Sequence, residues 1–439
     1  MKKTFVLFVI VAFVLGGFFL PACKKKAEDV GPAKPIKVLS QFPMSGPVGS
    51  LPEFGWGYID GMNWVNSEEG GGVNGKKITW FLEDFRYNPT VEVANFNKYA
   101  AEHPADEFLM ATGYITGGLK PLIDKVNKEE KIPWLDGSYS TEIFGAEGGP
   151  SKYPYYYSLG ATYGDQLKIC VKWIKDNHKG EGAPKIGLVT SPTGWGRDGL
   201  PEVKAYIEEL KFDLVAEIEY PYSATSATNE WMALKKAGAQ YVIYHGYSGA
   251  GAYTAIFFKT GKKIIPEVQI MGTNYTTGRF PILVAQEAFD GYVGVCCRPF
   301  GDAIPRSATK MDNPMIKLAH EFSKKYRPEE YEKGLKGGIK DMFLYMEGLQ
   351  YAFIIQKALT DADDKYSLTR EGVKKALDNM TWDFKGMFDG KKFSYKSHTV
   401  PMARLYKAHV KMVEMNGKKV PTGYCEPLGD WIDTSKVKW

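Results

Sequence analysis

Residues 185–219 read KIGLVTSPTGWGRDGLPEVKAYIEELKFDLVAEIE. The apolar run Lys185–Thr190 has strand character and ends in a turn of Ser, Pro, Thr and Gly. An amphipathic helix is expected next, over Gly199–Leu210, because Leu200, Val203, Tyr206, Ile207 and Leu210 recur at helical spacing. Leu214–Glu219 is a second short apolar run. Strand, helix and strand in this order make a parallel unit with a right-handed crossover.

Outward from this unit the same pattern repeats. Strands are expected at Ile36–Gln41, Ile78–Glu83, Phe108–Ala111, Pro133–Leu135, Tyr241–His245, Val268–Met271 and Tyr292–Cys296. Helices fall between most of them, near Glu53–Asn66, Thr90–His103, Leu119–Lys128, Asp165–Asn177, Thr228–Lys236 and Gly249–Lys259. Such alternation requires parallel sheets with helices on both faces. The rhythm breaks at Tyr153–Ala161, which reads as extended chain leading into a new helix. A helix-rich part follows the second series, at Pro314–Tyr326, Lys340–Leu359 and Arg370–Asp378, before two short strands, Val400–Leu405 and His409–Glu414. Roughly 400 residues exceed what one hydrophobic core serves, so two lobes are expected. The fold class is α/β, with two doubly wound, Rossmann-like lobes joined by a multi-strand hinge. Lobe one is expected to take 36–157 and 298–393, and lobe two 158–297 and 394–439.

The first 35 residues read differently. Lys2 and Lys3 precede an apolar stretch from Phe5 to Leu20, about the length of a signal-peptide core. Leu20-Pro21-Ala22-Cys23 resembles the lipobox of bacterial lipoproteins, which implies a signal peptide over 1–22 and lipid attachment at Cys23. Residues 23–35 are polar and rich in Lys, Pro and Gly, as a tether would be. The expected location is therefore exported and membrane-anchored, facing the periplasm or the cell exterior. Removing residues 1–22 takes Lys2 and Lys3 from a formal charge of +5 and leaves +3, too weak and dispersed to imply nucleic acid. No later stretch is long and apolar enough to suggest a permease.

Cys170, Cys296, Cys297 and Cys425 match no metal-ligand spacing, and the six histidines contain no zinc-type helical pair. No metal or cofactor is expected. A disulfide from Cys425 to Cys296 or Cys297 is permitted by an exported location and not fixed by sequence. Gly246-Tyr247-Ser248-Gly249-Ala250 lacks the last glycine of a nucleophile elbow, so it gives no hydrolase.

Several turns resemble the substrate-binding proteins of ABC importers for branched-chain and related amino acids, which have a type I periplasmic-binding-protein fold. They are Met44-Ser45-Gly46-Pro47 after the first strand, Asn66 with Gly71-Gly72-Val73-Asn74-Gly75-Lys76-Lys77, Glu83-Asp84 with Asn88-Pro89, and Tyr222 with Ala224-Thr225 ahead of Tyr244. The resemblance spans essentially 36–415. It implies a binding protein, not an enzyme, that closes around one small molecule and delivers it to ABC permease subunits, acting as a monomer. By the same resemblance, Thr116, Gly117, Ser138 and Ser140 would hold a ligand's carboxylate and amino group, and the aromatic Trp195 would close over it; the rings of Trp195, Tyr247 and Tyr275 would suit a flat or apolar ligand body. After Val268–Met271 the family's amino-acid binders carry an acidic residue, where this chain has Asn274. A neutral amide there points to a carboxylate or amide ligand in place of an ordinary α-amino acid.

Two other readings compete. Gly194, Gly196 and Gly199 have dinucleotide-loop spacing, with Glu217 or Glu219 about twenty residues on. Trp195 between the glycines, and export away from cytosolic nicotinamide, weigh against an enzyme. A ligand-sensing lobe for a signalling partner shares the fold.

Overall fold

The computed structural model describes residues 34–46, 52–145, 149–247, 252–301, 303–334, 338–339, 342–415 and 417–439. The signal segment, Cys23 and most of the tether lie outside these residues. The first sheet has five parallel strands, β1 (Ile36–Phe42), β2 (Ile78–Asp84), β3 (Phe108–Gly113), β4 (Trp134–Asp136) and β5 (Tyr156–Ser158). Their order is β2-β1-β3-β4-β5. β3, β4 and β5 are buried along their whole length, which is why they read as continuous apolar runs and not as alternation.

The second sheet begins with five more parallel strands, β6 (Lys185–Thr190), β7 (Asp213–Glu219), β8 (Tyr241–His245), β9 (Gln269–Gly272) and β10 (Val293–Cys296). A two-residue pair, β11 (Thr381–Trp382) and β12 (Phe393–Ser394), stands apart. The chain then adds β13 (Met402–Met415), antiparallel to β10, and β14 (Lys418–Asp433), antiparallel to β13. The sheet order is β14-β13-β10-β9-β8-β6-β7.

Two differences from the sequence reading concern this hairpin. The expected strands Val400–Leu405 and His409–Glu414 merge into one that starts at Met402, because Tyr406, Lys407 and Ala408 continue the pairing with β14. β14 itself was not expected. It carries Pro421, Gly423, Pro427 and Gly429, residues that disfavour an interior strand but suit an edge. The register shifts between Ala403 and Leu405, opposite a segment holding Gly429 at φ +83, so the glycine takes the left-handed backbone that a bulge requires.

Helix ends follow their caps. Thr162 accepts the Asp165 amide, so the helix starts at Tyr163, two residues before its expected start. The helix expected from Leu119 opens earlier, over Thr116–Asp124, and continues as a wider turn over Lys125–Glu129. The long helix Met342–Lys365 packs on Glu53–Val65 through glycines. A Cβ on Gly57 would lie 2.0 Å from the Tyr345 carbonyl oxygen, and one on Gly348 would lie 2.1 Å from that of Phe54.

Residues 35–439 form one compact unit. The chain passes between the sheets after β5, after β10 and after β12. The crossings are tied together: Ser158 donates its amide to the His398 carbonyl at 2.8 Å, and Tyr395 OH donates to the Ser158 carbonyl at 2.9 Å. Gln350 reaches the Leu159 carbonyl at 3.1 Å. The four described cysteines are buried thiols.

Candidate functional site

The carboxyl ends of both parallel sheets carry the loops that face one another, where doubly wound folds bind ligands. Asp84, at the end of β2, accepts amides from Met44 at 3.0 Å, Ser45 at 3.3 Å and Arg86 at 2.9 Å. Its partial burial is outweighed by these bonds and that of the Ser45 hydroxyl, so its carboxyl lies below the usual range. The turn bends Arg86 and Tyr87 into the left-handed region, at φ +54 and +55. Such backbone costs an ordinary residue about 1–2 kcal/mol each and is characteristic of sites where a side chain must point one way.

Tyr87 is one of eight residues around a small cavity of about 20 Å³, room for a water molecule. From the first sheet come Tyr87 after β2 and Tyr114, Ile115 and Thr116 after β3. From the second come Tyr163, Trp195 after β6, Tyr247 after β8 and Tyr275 after β9. Six of the eight are aromatic. Tyr275 is central, with ring centroids of Tyr114, Tyr247 and Trp195 at 6.1, 6.3 and 6.4 Å, all steeply inclined. Its far side stacks on Tyr139 at 5.4 Å.

Polar groups lie behind the rings. Glu92 accepts the Tyr114 amide at 2.9 Å, and Asp136 accepts the Ser138 amide and the Trp134 indole at 2.6 and 2.7 Å. Asp198, beyond β6, reaches across to the first sheet's loops, where it accepts the Ser140 hydroxyl at 2.5 Å and the Thr141 amide at 2.6 Å. Glu347 pairs with Arg298 at 2.8 Å, both fully buried, and accepts the Tyr139 and Tyr275 hydroxyls. Burial pushes the Asp136 carboxyl up to about 7. Burial and the nearby Asp136 raise Glu92 well above the carboxylate range. Asp198 is raised by burial against its hydrogen bonds, and Glu347 by burial against Arg298. Burial lowers His245 to about 4, so it is neutral. Its Nε2–H donates to the Trp195 carbonyl at 3.1 Å, which leaves Nδ1 to accept from the Thr273 hydroxyl at 2.7 Å.

Of the residues expected to bind ligand, Thr116, Trp195 and Tyr247 stand on the cavity wall. Gly117 is next to Thr116, with a Cβ position 3.1 Å from Pro89 Cγ. Ser138 lies behind Thr116, the two hydroxyls 2.6 Å apart. Ser140 caps the short helix Thr141–Phe144 and binds Asp198. Asn274 is fully buried and off the wall, its Oδ1 accepting the Cys297 amide at 2.8 Å. Tyr275, weighed as an aromatic suited to a flat ligand, is on the wall as well, whereas Tyr87, Tyr114, Ile115 and Tyr163 were not among the expected site residues. Aromatic residues one to three positions past a strand were the available signal, as in Tyr87 beyond Asp84 and Tyr114 beyond Gly113.

The glycine-rich loop serves its own packing. A Cβ on Gly196 would meet the Ser191 carbonyl at 2.2 Å. Glu219 pairs with Arg197 and Glu217 with Lys204 at the surface. A larger groove of about 840 Å³ lies between the β13–β14 hairpin and residues 299–316 and shares no lining residue with the aromatic cavity. Among the described residues no cluster of three or more His, Cys, Asp or Glu could hold a metal.

Two doubly wound lobes meeting strand end to strand end over an aromatic cavity define a two-lobed binding protein. The family model for periplasmic binding protein matches residues 35–418. The chain belongs to that family, one of binding proteins and not of enzymes. No curated protein matches the chain. Among solved structures it is similar to a branched-chain amino acid ABC transporter protein from Thermus thermophilus with bound valine. That match has a TM-score of 0.70 and 22% identity over 90% of this chain and 96% of the other. A fatty acid ABC transporter substrate-binding protein from Thermomonospora curvata matches with a TM-score of 0.70 and 18% identity, over 92% and 94%. A solute-binding protein from Rhodopseudomonas palustris HaA2 in complex with p-hydroxybenzoic acid gives 0.66 and 19%, over 91% and 98%. These likenesses establish the fold.

Proposed function

We propose that the chain is the extracytoplasmic solute-binding component of an ABC importer, which captures one small organic molecule between its lobes and delivers it to permease subunits. The observation that carries this reading is the cavity itself: both sheets contribute aromatic rings to one small space at their carboxyl ends. Ligand touching both lobes favours the closed arrangement, and release follows opening of the hinge. Family membership supports export, and among the described residues no helix is long and apolar enough to cross a membrane. A lipid on Cys23 then holds the protein, as a monomer, near its permease.

Mass spectrometry of small molecules released from natively purified protein tests capture. A stoichiometric ligand is expected, and re-adding it to stripped protein should shrink the scattering radius. A stripped protein whose dimensions and Trp fluorescence respond to no cell extract would rule the reading out. Cys23→Ser should move the protein from the membrane to the soluble fraction with its fold intact.

A further inference from the structure

Arg298 and Glu347 form an ion pair far from water. Arg298 sits two residues past β10, on the second chain crossing, and Glu347 on the long first-lobe helix Met342–Lys365. Both side chains are fully buried, with Nη2 and Oε2 at 2.8 Å. Removing two charges from water costs about as much as their attraction returns, and apolar residues of similar volume usually serve stability as well or better. Stability therefore does not account for the pair, whose contacts reach several separate stretches of chain.

The guanidinium joins the two crossings to a first-lobe loop. Its Nη1 donates to Gln350 Oε1 at 3.1 Å, and Gln350 Nε2 donates in turn to the Leu159 carbonyl on the first crossing at 3.1 Å. The crossings are in contact here, since a Cβ on Gly160 would lie 3.0 Å from Cys297 Cβ. Nη2 donates to the Tyr139 hydroxyl at 2.7 Å, and the Phe343 ring packs 4.5 Å from Cζ.

Glu347 carries this arrangement to the cavity wall. Its Oε1 accepts the Tyr139 hydroxyl at 2.7 Å, from the first lobe, and the Tyr275 hydroxyl at 3.0 Å, from the second. The Tyr275 hydroxyl also lies 2.7 Å from the Gly137 carbonyl, and its ring stacks on Tyr139 with planes inclined by 3°. The preceding residue is anchored to the second crossing, where Asn274 Oδ1 accepts the Cys297 amide at 2.8 Å. Only the Tyr275 arm runs from a second-lobe loop to the first-lobe helix. Opening of the cleft breaks it and leaves Tyr139, Arg298 and Gln350 around Glu347. An already fixed carboxylate thus offers one position to one hydroxyl, and that hydroxyl belongs to a ring of the cavity wall.

We propose that Arg298 and Glu347 are positioning residues for capture: the pair fixes the Tyr275 ring relative to the chain crossings, so that seating a solute on Tyr275 and closing the hinge are one event. This rests on the solute-binding reading and adds the coupling between its site and its hinge. Neither side chain lines the cavity, and both act through Tyr275.

Three variants of the stripped full-length protein test it. Arg298→Met/Glu347→Leu removes both charges together and leaves neither buried alone. Tyr275→Phe removes only the hydroxyl, and Gln350→Met cuts Arg298 from the first crossing with the ion pair in place. Small-angle scattering reads closure, hydrogen exchange reads the segment 272–277, and thermal melts read the fold. The double variant is expected to melt near the wild-type temperature with a larger scattering radius. Its exchange over 272–277 should be faster by roughly ten-fold, the low end for a hydrogen bond to a charged group. Tyr275→Phe should do the same, and adding it to the double variant should bring little more, because the hydroxyl acts through Glu347. A pair that only packs would change the melt and leave radius and exchange at wild-type values, which overturns the proposal. Additive effects of Tyr275→Phe and the double variant also overturn it, since Tyr275 would then act through Gly137 alone. If the double variant does not fold, the other two decide: both Gln350→Met and Tyr275→Phe should enlarge the radius, and a wild-type radius in either overturns the coupling. Each of these failures leaves capture standing, which is judged separately by whether a small molecule co-purifies.

Discussion

Asp136 illustrates how a single side chain at the end of a strand couples site and stability. It is fully buried beneath the first-lobe loops, and burial raises it from 3.8 to about 7. A carboxyl raised on folding holds its proton longer in the native state. Its contribution to stability is complete below the unfolded value and is lost as pH rises through about 7. Glu92 shifts the same way. The melting temperature of the stripped protein should therefore fall from mildly acid to mildly alkaline pH, by an amount corresponding to a few kcal/mol. Asp136→Asn removes one titrating group and should flatten that slope, even though loss of an acceptor for Trp134 or Ser138 lowers stability at every pH. An unchanged slope in this variant would assign the titration to another group. At this scale the sequence was legible in position and not in orientation. Asn274 was correctly placed just past β9, yet its carboxamide turns to Cys297, 23 residues on, and its amide to Gln166, 108 residues back. No local spacing encodes contacts of that range. The acidic residues near the first-lobe loops divide likewise, with Asp136 buried beneath them. Glu142 pairs with Lys120 at the surface.

At the level of elements, legibility followed the strength of the local pattern. Lys185–Thr190, Tyr241–His245, Pro314–Tyr326 and Arg370–Asp378 have the expected bounds, because apolar runs or helical periodicity meet clear turn residues or caps there. The β13–β14 hairpin was half missed because its outer strand is stabilised by pairing along β13 in spite of its prolines and glycines. The crossing of Glu53–Val65 over Met342–Lys365 was hidden for a different reason. Gly57, Gly61 and Gly348 lower helix propensity where they stand, yet their lack of a Cβ lets two backbones approach. Gly57→Ala would drive a methyl into the Tyr345 carbonyl, and the helices would have to separate. Overpacking of this kind costs about 1–3 kcal/mol or more, against a gain of up to about 1 kcal/mol in helix propensity. Denaturant melts should show net destabilisation. A neutral or stabilised variant would mean that the two helices are less closely apposed in solution.

Closure of the whole molecule depends on bonds that run from one sheet's loops to the other's. Tyr275, past β9, donates to the Gly137 carbonyl past β4, and Asp198, past β6, accepts from Ser140 and Thr141. Tyr163 and Gly164 also donate amides to Tyr139 O and Thr141 Oγ1, at 2.8 and 2.7 Å. These last contacts adjoin the crossing after β5, where the lobes stay close in any hinge position, so the Asp198 bonds have the larger bearing on how often the cleft is shut. In an open arrangement water can satisfy Asp198, Ser140 and Thr141, so the net value of the latch is modest. Hydrogen bonds to a charged group contribute about 1.5–3 kcal/mol, which corresponds to roughly a ten- to hundred-fold bias toward the closed state. Asp198→Ala should remove most of that bias. Ligand affinity is expected to fall by up to the same factor, because binding must now supply the closure free energy. The scattering radius of the stripped protein should rise, and saturating ligand should restore it. Global stability should fall far less than affinity, since each lobe keeps its own sheet and helices. If affinity and dimensions stay at wild-type values, Asp198 is a local cap for the Ser140 turn, and the closed state is held by the Tyr275 and ring contacts alone.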